Sequence, residues 1–269
     1  MKILYISEIV GKPGIFVLKN LLSKLKKKYQ PDFTLGNGDG VTGGYGLGKN
    51  HAFYIHKLGL QAITGGDCFF YKKDLQEIID TNNFLIRPAN YPPGTPGRGF
   101  RFIKVGDQKL GVVSLLGQSS FSKIHLPSPL NTLEHILEKN RHETSFWVVD
   151  FHAATTAEKN TFFYAADGMV SAIFGSHQKV LTADSRILEK GTAVITDSGR
   201  TGSSLSVGGF LPQVEIHKFL TGVPEKSQDC WEGLELQGVL VDLDQFGKAK
   251  DISMVKEICE ERPDAGDDR

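Results

Sequence analysis

"KILYISEIVGKPGIFVLKNLLSKLKKKYQPDFTLGNGD" (residues 2–39) is the stretch on which the fold turns. A short apolar run, "KILYIS", is followed by a segment in which Leu18, Leu21, Leu22 and Leu25 recur at helical spacing, and then by a second β-prone run, "DFTLG". The order is strand, helix, strand. It continues through "KNHAFYIHKLG" (49–59), "QAIT" (61–64) and a helical pattern in "YKKDLQEIID" (71–80). It recurs in the strand "KLGVVSLL" (109–116), a helix near "LNTLEHILEK" (130–139), the strand "SFWVVD" (145–150), a helix from about Thr155, and the strands "VSAIFG" (170–175) and "GTAVITD" (191–197). Strands alternating with helices predict an α/β fold with a substantial sheet buried between helices.

The prolines and glycines of "RPANYPPGTPGRG" (87–99) favour a stiff loop inside a domain. "LQGVLVDLDQFGKAKDISMV" (236–255) reads as a hairpin-like pair of strands. A single domain is expected over 1–259, with "EERPDAGDDR" (260–269) a frayed acidic tail.

Of the 269 residues, 40% are hydrophobic and 23% charged, which is a globular composition able to bury a core. Lys plus Arg and Asp plus Glu both number 31, so no overall field draws the chain to nucleic acid or an anionic membrane. The basic run "KLKKKY" (24–29) continues the first helical pattern and reads as its solvated face. Cys68, Cys230 and Cys259 form no C-x-x-C pair, which speaks against a structural zinc site or a disulfide framework. With no secretory cleavage signal and no apolar stretch of about 18 residues, a cytoplasmic protein that does not span a membrane is expected.

Five polar residues each follow a predicted strand: Glu8, Asp39, Asp67, His152 and His177. Any one of them alone reads more readily as a helix cap, a turn former or a satisfied polar group. Together they gain meaning, because α/β sheets bind ligands beyond the carboxyl ends of their strands, and carboxylates mixed with imidazoles suit a divalent cation. Two other patterns are set aside. "GGYGLGKN" (43–50) has phosphate-loop spacing, but Asn50 stands where a magnesium-binding hydroxyl belongs. His51 and His56 are five apart, off a common helical face, and read as surface residues.

"RPANYPPGTPGRG", "VDFHAATTAEK", "DGMVSAIFGSH" and "LTADSRILEKGTAVITDSGRTG", together with the five site segments, resemble the YmdB family of calcineurin-like metallophosphoesterases over nearly the whole chain. The resemblance implies a layered α/β sandwich, cyclic-nucleotide phosphodiester chemistry, self-association and a two-metal centre. Against the family's motifs, "GD" is "SE" at Glu8, "NGEN" is "NGDG" at Asp39 and Gly40, "GNH" is "GDC" at Asp67 and Cys68, and "GTHTH" is "GSHQK" at His177 and Lys179, while "DFH" is intact at His152. One metal's ligand set then survives as Asp39, Asp67, His152 and His177, with Glu8 a further candidate. The other set has Gly40 and Lys179 where ligands should be. Cys68 takes the place of the histidine that protonates the leaving group.

This resemblance therefore implies one divalent transition metal (Mn, Fe or Zn), no second metal, and Lys179 paired with Glu8 in the vacated position. The cation should push the Cys68 thiol towards thiolate. Two functions stay open: a pseudoenzyme-like binding or assembly module with weak or absent hydrolysis, and an active one-metal phosphodiesterase acting on cyclic nucleotides or related phosphodiesters, with a small phosphodiester or nucleotide the expected partner.

Overall fold

The computed structural model of the chain describes residues 1–119, 121 and 126–261. Its layering follows from alternation along the first strand, β1 (Lys2–Ile6), whose two faces are both apolar. Ile3 and Tyr5 face a core shared with Val112, Val148 and Phe174, whereas Leu4 and Ile6 face Leu18, Leu22 and Leu25 of α1 (Gly11–Tyr29). Strands buried on both faces read as near-continuous hydrophobic runs.

Between and after these come β2 (Glu8–Ile9), β3 (Phe33–Asn37), α2 (Lys49–Leu58), β4 (Ala62–Thr64) and β5 (Leu85–Ile86). The middle of the chain supplies β6 (Phe100–Val105), β7 (Gln108–Leu116), α3 (Pro129–Asn140), β8 (Trp147–His152), α4 (Thr156–Ala165) and β9 (Ala172–Ser176). The last part adds β10 (Arg186–Ile187), β11 (Ala193–Ile195), β12 (Arg200–Ser203), α5 (Pro212–Thr221), β13 (Leu234–Leu243) and β14 (Ala249–Ile258).

The described strands form two sheets. One runs β2-β12-β13-β1-β3-β4-β5, with β14 paired to β13, and the other runs β10-β11-β9-β8-β7-β6. β1, β3, β4 and β5 are mutually parallel, as are β7, β8, β9 and β11, so their carboxyl ends open on one side of each sheet. The sheets pack face to face through Ile3, Tyr5, Phe33, Val112, Val148 and Phe174. α1 and α2 cover the outer face of the first sheet, and α3 and α4 that of the second. The chain is a layered α/β sandwich with two sheets at its centre rather than one.

Several expectations change in detail. "YKKDLQEIID" forms only a short 3-10 helix, Lys73–Glu77. Its apolar contacts at Leu75, Ile78 and Ile79 span barely one turn, too few to offset helix nucleation, and the Asp74 carboxylate is drawn off to accept the Lys49 N–H at the start of α2. β6 was hidden behind the Pro/Gly loop. His51 and His56 are half-buried rather than surface residues: His51 Nδ1 lies 2.8 Å from Thr42 Oγ1, and the His56 ring stacks on Phe84 at 4.0 Å. The tail expected over 260–269 lies, from residue 262 on, outside the described residues. Among the described residues no helix is long and apolar enough to cross a membrane.

Candidate metal centre

Each of the five strand-end residues arrives at one crevice. Asp39 sits two residues past β3, where its Oδ1 accepts the Gly66 N–H at 2.6 Å and its Oδ2 the Cys68 N–H at 3.1 Å. These bonds tie the turns after β3 and β4 together. Asp67 follows β4, and its Oδ1 lies 3.0 Å from His152 Nε2, at the last residue of β8. A Cβ on Gly66 would come within 2.3 Å of the His152 ring, so only glycine lets the two elements approach this closely.

His177 follows β9 and places Nδ1 3.1 Å from His152 Nε2 and 3.5 Å from Asp67 Oδ1. Three ligand atoms from three strand ends thus converge at the separations that neighbours around one small divalent ion adopt, with bonds of about 2.0–2.2 Å. Asp39 Oδ2 stands 3.7 Å from the same His152 nitrogen. The donor set of two imidazoles and carboxylates fits a borderline transition-metal ion.

Reaching this geometry distorts the backbone. His177 and Lys179 adopt φ of 98° and 61°, the left-handed region that ordinarily costs a side-chain-bearing residue about 1–3 kcal/mol. Asp197 holds the turn by accepting the Gln178 N–H at 2.8 Å and the Val180 N–H at 3.3 Å. Asp197 is itself paired with Lys159 at 2.9 Å, both fully buried.

The opposite wall is built differently. Lys179 Nζ lies 3.2 Å from Glu8 Oε1, while the second carboxylate oxygen, Oε2, is buried with no hydrogen-bond partner among the described residues. A Cβ on Gly40 would meet Glu8 Oε1 at 2.9 Å and the Ile9 carbonyl at 3.0 Å. The longer acid at position 8 therefore occupies space that a side chain at position 40 would need. All seven expected site residues, with Gly40 beside them, line this one region.

The charges are strongly coupled. Burial pushes the Asp39 carboxyl up to about 6, with the His152 charge opposing and the Glu8 and Asp67 charges reinforcing. At His152 burial disfavours the imidazolium, but the Asp67 hydrogen bond and the Asp39, Glu8 and Asp67 charges outweigh it and lift the group to about 9. Asp67 loses water too, yet its bonds to the two histidines hold it well below the carboxylate range. Burial works against the Lys179 charge, and Glu8 overcomes it, raising the ammonium above its ordinary value. In the ion-free protein, burial, then Asp39, Asp67 and Glu8, push the Cys68 thiol well above its ordinary value. The nearest charges are carboxylates.

Some participants lay outside the sequence reading. Phe121 lies edge-on to His177 at 5.0 Å and near the His152 ring at 6.1 Å. Tyr91, edge-on to Phe70 at 5.4 Å, has its phenol held well above its ordinary value by burial and by Asp39 and Asp67. Beneath the histidines, Asp150, Ser176 and Asn37 form a buried polar layer. Asp150 was visible as a lone carboxylate ending an otherwise apolar strand run.

The chain matches the family of YmdB-like proteins over residues 4–255. It is 37% identical to the 2′,3′-cyclic-nucleotide 2′-phosphodiesterase of Bacillus subtilis over 95% of this chain and 96% of that one. Among solved structures it is similar to a phosphatase from Mycoplasma pneumoniae (TM-score 0.90, 33% identity, covering 96% and 93% of the two chains). It is also similar to a hypothetical protein from Thermus thermophilus (TM-score 0.89, 28% identity, 96% and 99%). With matches of this extent joined to a metal-competent crevice at the strand ends, the chain belongs to the YmdB-like family of phosphoesterases.

Proposed function

We propose that the protein holds one divalent transition-metal ion through Asp39, Asp67, His152 and His177 and hydrolyses phosphodiesters weakly or not at all, serving as a binding or assembly module. The observation that carries this reading is the Lys179–Glu8 pair, 3.2 Å apart, which sets an ammonium against the carboxylate a second ion would need. When bound, the single ion supplies Lewis acidity and activates water. The chain's own groups do the rest: Lys179, paired with Glu8, fills the second position as a point charge without Lewis acidity, and Phe121 shields the histidine face. Proton delivery to the leaving oxygen is the weak point. Cys68 stands where the family's histidine gives that proton, and a thiol beside a bound cation drifts towards thiolate, which suits it to act as a ligand or nucleophile rather than as an acid.

The second reading, an active one-metal phosphodiesterase, draws on the same ammonium, which can neutralise transition-state charge without a second ion. The curated relative from Bacillus subtilis, a 2′,3′-cyclic-nucleotide phosphodiesterase by name, makes such a nucleotide the substrate to try. The deciding experiment is turnover of bis(p-nitrophenyl) phosphate and 2′,3′-cyclic AMP by the manganese-loaded protein. Rates far below the ordinary enzymatic range of about 1–10³ per second are expected, and rates within it establish the second reading instead.

A further inference from the structure

Asp150, at the middle of β8, is wholly buried yet pairs with no cation among the described residues. Its two oxygens accept from four donors: Oδ2 from the Tyr5 hydroxyl at 2.8 Å, the Asn37 amide at 2.9 Å and the Thr64 hydroxyl, and Oδ1 from the Ser176 hydroxyl at 2.7 Å. These partners come from β1, β3, β4 and β9, so the carboxylate ties both sheets together directly beneath the crevice. The same Ser176 Oγ lies 3.0 Å from His152 Nδ1.

A serine hydroxyl has one proton to give. Because a carboxylate only accepts, that proton must point at Asp150; turned the other way, two sets of lone pairs would face each other at 2.7 Å. The Ser176 oxygen is thereby left as an acceptor, and the Asn37 amide, 3.4 Å away, approaches it in that same sense. What Ser176 offers His152 is a lone pair, and the only ring state that uses it has hydrogen on Nδ1. The nitrogen freed for coordination is then Nε2, the one that faces Asp67 and His177.

We propose that Asp150 and Ser176 are positioning residues that fix His152 in the Nδ1–H tautomer, so that Nε2 presents a lone pair to the bound ion. The inference rests on the reading that His152 is a ligand of that ion. Partners of this kind orient a ligating imidazole and typically change metal affinity by about 10–100-fold when removed.

The informative substitution is Asp150→Asn. An amide placed there keeps its carbonyl oxygen on the side of the three donors at Oδ2 and turns its NH₂ towards Ser176. The relay reverses: Ser176 accepts from the amide, donates to His152 Nδ1, and the ring proton moves to Nε2, where the ion should be. Zinc affinity of the full chain, measured by competition with a chelator, should fall about 10–100-fold in Asp150→Asn and by less in Ser176→Ala. Tyr5→Phe is the control, since it removes another Asp150 donor without changing the direction of the relay; it should lower the melting temperature and leave zinc affinity within about twofold. Nitrogen-15 spectra of the zinc-loaded parent should show His152 coordinated through Nε2 and protonated at Nδ1, a readout that does not require any variant to fold.

Coordination through Nδ1, or parental zinc affinity in folded Asp150→Asn, would overturn the relay. Neither readout depends on turnover, so absent hydrolysis leaves the relay standing, while normal hydrolysis with an unaffected Asp150→Asn removes the relay and leaves the one-ion site.

Discussion

The two walls of the crevice answer the same problem, burial of charge, in different ways. On the histidine wall, Asp67, His152 and His177 bond to one another, and His152 is backed by Ser176 and Asp150. On the lysine wall, Glu8 has one oxygen paired with Lys179 and the other without a partner among the described residues, and a Cβ on Gly40 would crowd that paired oxygen. The first wall is organised around a position that an ion can fill. The second is already neutralised from within. Positions 8, 40 and 179 therefore form one packing unit around Glu8 Oε1, which pairs with Lys179 and stands where a Cβ on Gly40 would come.

Breaking each wall separately gives the largest contrast. His152→Ala should weaken metal binding by more than about 100-fold, since it removes a ligand rather than a supporting group. Lys179→Met leaves all four proposed ligands in place and should keep the affinity within a few-fold or improve it, because it removes a buried cation from beside the ion. Isothermal titration with zinc reads both, and equal losses would erase the distinction between the walls.

A pH titration of stability sharpens the comparison next. His152 titrates near 9 in the folded, ion-free protein against about 6.5 unfolded, so its stabilisation is complete below 6.5 and lost as pH rises through 9. Asp39, raised to about 6, acts in the same direction at lower pH, its contribution fading between about 4 and 6. Ion-free protein should thus lose up to about 3 kcal/mol between pH 6.5 and 9 in urea unfolding, and His152→Ala should abolish most of that slope. A flat profile would mean that the histidine wall is not charged in the way its geometry requires.

The smallest effect concerns the packing unit. Gly40→Asn alone should destabilise by roughly 1–3 kcal/mol, because its Cβ would crowd Glu8 and the Ile9 carbonyl. Adding Glu8→Asp, which shortens the acid, should recover part of that loss. Additive costs in this double-mutant cycle would show that the two positions are independent.

Most of this architecture was legible in the sequence because it depends on local patterns. Doubly buried strands announce themselves as short apolar runs, and a polar residue just past each run marks a place on the crevice, which is how Glu8, Asp39, Asp67, His152 and His177 could be singled out. What escaped depends on relations across the fold. Nothing near Ser176 in the chain shows that it mediates between Asp150 and His152, and the fit of Glu8 into the space beside Gly40 is a contact between separate strand ends. The carboxylate surroundings of Cys68, where Asp39, Asp67 and Glu8 together with burial raise the thiol in the ion-free protein, likewise come from separate strand ends.

The most direct test of the one-ion account is a count of tightly held metal in protein purified with excess manganese and then desalted, by elemental analysis against protein concentration. The account predicts about one ion per chain, retained in Lys179→Met and absent in His152→Ala. Two tightly held ions per chain in the parent would contradict it, showing that Glu8 and its neighbours rebuild a second site despite Lys179.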